Sequence, residues 1–166
     1  MNDNEYCIID EGINTAEIKK LNNYKGKLYF ISEKLMDDMT LYPRIPKNFF
    51  TENGYEDSKT KRVCFAPSVD QALMGMSYNN TGKTFYVYNV VNQDKYTIYK
   101  PNIVAVPDSE ITGELWITKS VKIKTVGKIY VSGDSGEPGI SFKYGDNTAE
   151  LFKWDYEWVE KYEDES

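Results

Sequence analysis

Residues 62–76 have the sequence RVCFAPSVDQALMGM, which joins a strand pattern to a helix pattern. The apolar run from Val63 to Ala66 is typical of a buried strand, and Pro67 ends it because proline has no amide hydrogen to donate. Ser68 is a favourable N-cap residue, and the apolar residues after it recur at helical spacing. We therefore predict a buried strand followed by one longer, central helix that begins at about Ser68.

Short apolar runs elsewhere indicate more strands. Residues 28–31 form one that ends at Ser32, and residues 84–91 and 95–100 predict a hairpin. Residues 113–118, 120–126 and 128–131 predict late strands of the same sheet. Residues 33–39 fit one or two helical turns, and residues 40–61 read as a long loop. These patterns together predict an α+β fold with a mainly antiparallel sheet.

The side chains that this fold should bury follow from the same strand and helix patterns. They are Val63, Phe65, Leu73, Met76, Val87, Leu115, Ile117, Val121 and Ile123.

The two ends of the chain carry different patterns. Residues 1–26 are expected to be an N-terminal extension, with a short strand at 6–9 and a helix from Thr15 to about Asn22. Residues 27–166 should form a single α+β domain with its core in 27–145, because 166 residues suit one domain. The spacing of Leu151, Trp158 and Tyr162 predicts a docked C-terminal helix within 146–166.

Composition excludes several classes of function. The chain has no histidine, so Ser-His-Asp and Cys-His catalysis and histidine-containing zinc sites are ruled out. Its two cysteines, Cys7 and Cys64, lie far apart, so we expect neither a bound metal nor a disulfide. The net charge of −6 argues against direct nucleic-acid binding through a broad surface but leaves a local basic groove open. No apolar run is long enough to span a membrane. The small number of cysteines favours a reducing compartment, so a cytoplasmic location is the expectation.

Arginine is scarce, and one of the two arginines lies in an unusual setting. The chain has 20 basic residues, of which only Arg44 and Arg62 are arginines. Arg44 lies between Pro43 and Pro46, which stiffen the loop that presents it. A guanidinium held in this way suits capture of a phosphate or carboxylate. The alternative is a salt bridge to Glu52, Glu56 or Asp57, and the sequence leaves both open.

Three segments resemble an uncharacterised family found in phages and prophages of low-GC Gram-positive bacteria. They are residues 28–32, residues 62–68 with the helix after them, and residues 113–117. Their order and spacing are also similar to the ADP-ribosyltransferase-like fold, in which a split β-sheet holds NAD in a central cleft. That resemblance implies a split sheet, NAD as a candidate cofactor and a nucleotide as a candidate ligand.

The resemblance also implies roles for individual residues. Tyr29 and Ser32 match the first motif of the fold, Ser68 matches the second, and Glu114 matches the glutamate that contacts the nicotinamide ribose. Phe30 stands where the fold has a His or Arg, and a phenyl ring cannot donate a hydrogen bond. Arg44 is the candidate substitute. The predicted site therefore has Glu114 as the catalytic residue and Tyr29, Ser32, Arg44 and Ser68 as ligand-binding residues.

Structural explanations exist for the same residues. Glu114 could be a solvent-facing strand residue, Ser68 could serve only as a helix cap, and Cys64 fits a small buried residue. Two function classes stand beside a nucleotide-binding enzyme. One is a nucleotide-binding module without catalysis. The other is an acidic inhibitor that binds a host protein through the carboxylates near the C-terminus, although such a cluster is also typical of a solvated helix end.

Overall fold

A computed structural model describes residues 18–47, 56–76 and 79–162, and their regular secondary structure is mainly β-strand. The strand predicted at residues 6–9 lies outside them. The elements in chain order are β1 Ile18–Leu21, β2 Tyr29–Ser32, β3 Thr40–Leu41, β4 Val63–Phe65, α1 Val69–Met74, β5 Thr84–Val90, β6 Ile98–Pro101, α2 Ser109–Thr112, β7 Leu115–Ile117, β8 Val121–Asp134, β9 Ile140–Tyr144, β10 Asn147–Leu151 and β11 Trp154–Lys161.

The strands form two main antiparallel sheets and a hairpin. One sheet has the order β1-β6-β7-β4, and the other has the order β11-β8-β5-β2 with β3 also paired to β8. The hairpin is β9-β10. Strands β2 and β4 are linked by Tyr29 and Ala66, whose backbone N–H groups donate to each other's carbonyl oxygens at 2.8 and 3.0 Å. The expectation of a mainly antiparallel sheet is thus confirmed, and the two short helices make the described part of the chain mainly β.

Two hydrophobic cores share strands β5 and β8. Val121 and Ile123 of β8 pack in one core, whereas Ile129 and Val131 pack in the other. All four residues have odd numbers, and side chains alternate between the two faces of a sheet, so a regular strand would place all four on the same face. The pairing with β5 steps from Val87–Gly127 to Tyr88–Thr125, which leaves an extra residue on β8. This bulge reverses the alternation and lets one strand serve both cores.

Buried positions agree closely with the sequence patterns. Eight of the nine side chains predicted to be buried are buried. The exception is Met76, which is 37% exposed because α1 ends at Met74 and Gly75 is its C-cap. The prediction of a longer central helix is therefore wrong. The helix begins where expected, with Ser68 Oγ accepting a hydrogen bond from Gln71 N at 3.1 Å, but it has only six residues.

The predicted C-terminal helix is also wrong. Residues 146–162 contain β10 and β11 instead. Buried or half-buried Trp154, Tyr156 and Trp158 alternate with exposed Asp155 and Glu157, which is the period of a strand. A four-residue spacing is even, so it fits a strand as well as a helix. That ambiguity explains why the spacing of Trp158 and Tyr162 suggested a helix.

Three smaller predictions also differ from the structure. Residues 18–21 form β1, paired with β6, rather than part of a helix from Thr15 to Asn22. Residues 33–39 contain bends but no helical turn. Strands β5 and β6 exist but do not pair as a hairpin, because a 3₁₀ turn at Gln93–Lys95 directs β6 into the other sheet. Within the described residues, no helix is long and apolar enough to cross a bilayer.

Candidate functional site

A cleft of about 540 Å³ lies beside the point where β2 and β4 are linked. Strand β2 contributes Tyr29 and Phe30, and β4 contributes Val63, Cys64 and Phe65. Glu56, Arg62 and Ala66 line it on either side of β4, and further lining comes from residues 36–46, from α1 with the two residues after it, and from the segment around α2. The cleft is therefore built by both sheets and both helices. It is lined by aromatic and aliphatic side chains with a few ionisable groups.

Three of the five predicted site residues line this cleft, and two do not. Tyr29, Arg44 and Glu114 are in its walls, whereas Ser32 and Ser68 are not. The Ser32 hydroxyl accepts a hydrogen bond from Lys34 N at 3.3 Å. Ser68 caps α1 and lines a separate cavity of about 600 Å³. The structure brings the predicted arginine and glutamate to one cleft and leaves both serines outside it.

Arg44 is an exposed residue held by its backbone. Its N–H donates to Arg62 O at 3.1 Å, and Arg62 N–H donates to Arg44 O at 3.0 Å. This pair of hydrogen bonds fixes the proline-flanked loop against the start of β4. Glu56 and Asp57, which were candidate partners for Arg44, pair with Arg62 instead. The position of Glu52 lies outside the described residues.

The buried cation of the cleft is Arg62, whose side chain has 0% solvent exposure. Its guanidinium donates to Glu56 Oε2 at 3.2 Å and to the carbonyl oxygens of Asp57 and Thr60 at 2.8 and 2.9 Å. It also lies 4.2 Å from the ring centroid of Trp116, a cation–π contact. Arginine tolerates such burial because its planar fork can donate to several acceptors at once.

Glu114 lies beside that guanidinium and just before β7. Its Oε2 accepts a hydrogen bond from Trp116 Nε1 at 2.7 Å. The residue keeps intermediate exposure, but its carboxyl is packed among protein atoms. Burial, followed by the charge of Glu56, raises the pKa of Glu114 to about 7, although the tryptophan hydrogen bond acts in the opposite direction. This carboxyl therefore changes charge near neutral pH.

A second carboxyl in the cleft behaves similarly. Burial and the charge of Glu56 raise the pKa of Asp108 to about 6. The charge of Asp108 is a smaller cause of the raised pKa of Glu114. Two carboxyls with pKa values near neutrality can supply a proton donor and a proton acceptor.

The thiol in the cleft is not activated. Burial is the main cause that raises the pKa of Cys64 well above its usual range, and the Glu114 charge adds to it. A reactive thiol needs a lowered pKa, so Cys64 is suited to packing rather than to nucleophilic attack.

Sequence reasoning missed Arg62, Glu56 and Asp108 as members of this cleft. One signal was present for Arg62: it directly precedes a buried apolar strand, where a charged side chain has to find partners. Asp108 is the N-cap residue of α2 but makes no side-chain capping hydrogen bond, and nothing in the local sequence indicated that its carboxyl would face a cleft.

Comparisons with known proteins identify no relative. No protein-family model matches the chain, and searches of curated proteins and of solved structures also found no match.

Proposed function

We propose that the cleft binds an anionic nucleotide of the NAD type and places its ribose against Glu114. The observation that carries this proposal is the shared location of Tyr29, Phe30, Arg44 and Glu114 in one cleft. Its volume of about 540 Å³ falls within the range of small-molecule sites.

Each of these side chains suits one part of such a ligand. Tyr29 and Phe30 offer rings on which a base or a nicotinamide can stack. The exposed Arg44 can hold phosphates at the mouth of the cleft. Glu114 can accept a hydrogen bond from a ribose hydroxyl deeper in the cleft. Among the described residues, its carboxylate accepts one side-chain hydrogen bond, from Trp116 to Oε2, and a carboxylate can accept several.

The position of the cleft gives further support. It lies beside the Tyr29–Ala66 link between two antiparallel sheets, which is consistent with the split sheet implied by the likeness to ADP-ribosyltransferases. Phe30 also lines the cleft, so the position that matches that fold's His or Arg offers no donor here. Arg44 is then the cation that replaces it.

If chemistry follows binding, the reaction to assay is ADP-ribosyl transfer to a host protein. In that reaction the C1′–N bond breaks, and its electron pair leaves on neutral nicotinamide. An acceptor O–H or N–H group bonds to C1′, and its proton passes to solvent. Ionised Glu114 would stabilise the positive charge that develops on the ribose.

The test is calorimetric titration of NAD and of simple nucleotides into wild type, Arg44→Ala and Glu114→Gln. Loss of one charge-assisted contact should weaken binding about ten- to a hundredfold in each variant. Lys47→Ala is a matched control, because this exposed cation lies in the same loop but outside the cleft lining. Release of nicotinamide from NAD, measured alongside, separates an enzyme from a binding module.

Absence of nucleotide binding by wild type, or equal binding by all variants, would refute the proposal. The inhibitor hypothesis would then become the stronger one. Its acidic residues Asp155, Glu157 and Glu160 are exposed on β11, at the edge of a sheet. Charges on an edge strand also discourage unwanted strand addition, so this position has a structural explanation as well.

A further inference from the structure

A second cavity, of about 600 Å³, lies apart from the cleft. Its lining comes from α1 with the N-cap residue of that helix, from α2, from β9 and from the start of β11. Among the described residues, Gln71 is the one that lines both the cleft and this cavity. The volume is within the range of ligand sites, so the cavity can hold a group from outside the chain.

Much of the cavity wall is apolar. Trp154 and Met74 are 9% and 6% exposed, and they line the cavity together with Ile111 and Ile140. Ile140 is 36% exposed, so the apolar wall reaches the protein surface. Such a wall suits the aliphatic stem of a long side chain, and the face of a tryptophan ring attracts a cation.

Two exposed carboxylates accompany this apolar wall. Asp70 lies in the first turn of α1, and Glu110 lies in the first turn of α2. Among the described residues, neither carboxylate has an ion-pair partner. Lys153 is the cation of the lining, and its Nζ already lies 3.5 Å from Glu137 Oε2. The cavity therefore has negative charge that a positively charged group could compensate.

Hydrogen bonds hold the two acidic walls together. Ser68 Oγ donates to Gln71 Oε1 at 3.0 Å, and Gln71 Nε2 donates to Ile111 O at 3.2 Å. These bonds connect α1 to α2, which carry the two carboxylates. Because the walls are joined without a ligand, binding requires less ordering of the protein.

We propose that this cavity is a docking site for a basic side chain, lysine or arginine, of a partner protein. The aliphatic stem of that side chain packs against Met74, Ile111 and Ile140. Its cationic group lies over the Trp154 ring and pairs with the two carboxylates. Apolar stem and cationic head thus match the two kinds of surface in the cavity.

The charges also favour a side chain within a protein over a free amino acid. A free amino acid brings an α-carboxylate, and the cation in the lining, Lys153, is already paired. A residue inside a polypeptide has no such carboxylate. The net charge of −6 further favours the approach of a basic protein. This proposal does not rest on nucleotide binding, because it concerns a different cavity.

The experiment compares peptides that differ only in charge. A blocked glycine–arginine–glycine peptide and its citrulline counterpart, which has nearly the same shape but no charge, are titrated into the isotopically labelled full chain and followed by NMR. A lysine peptide and its Nε-acetylated form provide a second pair. The indole N–H of Trp154 is the reporter, and a Trp154→Phe variant identifies its signal among the three tryptophans.

We expect each charged peptide to bind about three- to tenfold more tightly than its neutral counterpart at low salt. The ratio is modest because pairs with exposed carboxylates are individually weak. High salt should reduce the ratio toward one, since it screens exposed charges. Equal binding of charged and neutral peptides at low salt, or no response of the Trp154 signal at millimolar peptide, would overturn the proposal.

Variants test the assignment to residues. The double variant Asp70→Asn with Glu110→Gln should bring the two affinities within about twofold of each other, because both charges are removed. The matched control is Asp155→Asn, an exposed carboxylate of β11 outside the cavity lining, which should keep the wild-type ratio. A wild-type ratio in the double variant would also overturn the proposal.

Two further results would assign the cavity to another occupant. Tighter binding of free arginine than of the blocked peptide would indicate a small-molecule site and refute the partner protein. A Trp154 signal that shifts when the protein alone is diluted, with a dimer in sedimentation, would indicate a second copy of the chain and refute it as well.

Discussion

The raised pKa of Glu114 predicts that the protein becomes less stable as the pH increases. In the folded protein this carboxyl holds its proton up to about pH 7, compared with 4.5 for an ordinary glutamate. Between these values the folded state binds more protons than the unfolded state, so the free energy of unfolding falls as the pH rises. This difference between the two pKa values changes the free energy of unfolding by at most about 3 kcal/mol through Glu114.

The perturbation is Glu114→Gln, which keeps the shape and an oxygen acceptor for Trp116 Nε1 but cannot ionise. Urea unfolding at pH 5 and at pH 8 measures the free energy of unfolding for both proteins. From pH 5 to pH 8, we expect the free energy of unfolding of the wild type to fall by up to about 3 kcal/mol relative to that of the variant. The remaining slope should come in part from Asp108, whose pKa is also raised.

A matched control is Glu157→Gln, since Glu157 is exposed on β11. It should show the same pH dependence as the wild type. The reasoning would be refuted if Glu114→Gln also followed the wild-type slope, because the buried carboxyl would then contribute no linkage to pH. A midpoint near pH 5 in the titration of the Trp116 indole signal would contradict it independently.

Two further predictions concern stability. Ser68→Ala removes the hydrogen bond that Gln71 N donates to Ser68 Oγ, so it should lower the free energy of unfolding by about 1 kcal/mol. The control Ser120→Ala, in an exposed loop, should change this free energy little, and equal urea midpoints for the two variants would count against the cap. Gly127→Ala would place its Cβ 2.5 Å from Glu160 O and 2.6 Å from Trp158 Cζ3. We expect it to lower the free energy of unfolding by about 1–3 kcal/mol, as measured by thermal unfolding. The control Gly133→Ala, in the same strand with open space around it, should leave this free energy nearly unchanged.

The sequence predicted the parts of the fold that depend on local patterns. The apolar runs of β2, β4, β7 and β8 were recognisable because short buried strands are bounded by turns or prolines. The start of α1 was recognisable from Ser68 for the same local reason. Its short length was not, since the apolar spacing continues to Met76 although the helix ends at Met74.

Prediction failed where long-range pairing decides the structure. Over a few residues, the segment from Trp154 to Lys161 fits the period of a helix as well as that of a strand. It forms a strand because it pairs with β8. For the cleft, motifs indicated Tyr29 and Glu114, and unusual composition indicated Arg44. Asp108 and the buried Arg62 belong to it only because tertiary packing brings the two sheets together, and no single segment of sequence contains that information.

The length of β8 has a consequence for how the chain folds as it is synthesised. This strand of fourteen residues pairs with β3, β5 and β11, which lie before and after it in the sequence. When β2, β3 and β5 have left the ribosome, the strand that joins them to the rest of their sheet has not yet been synthesised. Until β8 is complete, β3 and β5 have unpaired edges, and two hydrophobic cores lack the side chains that β8 contributes to them. We therefore expect these two cores to close late in folding.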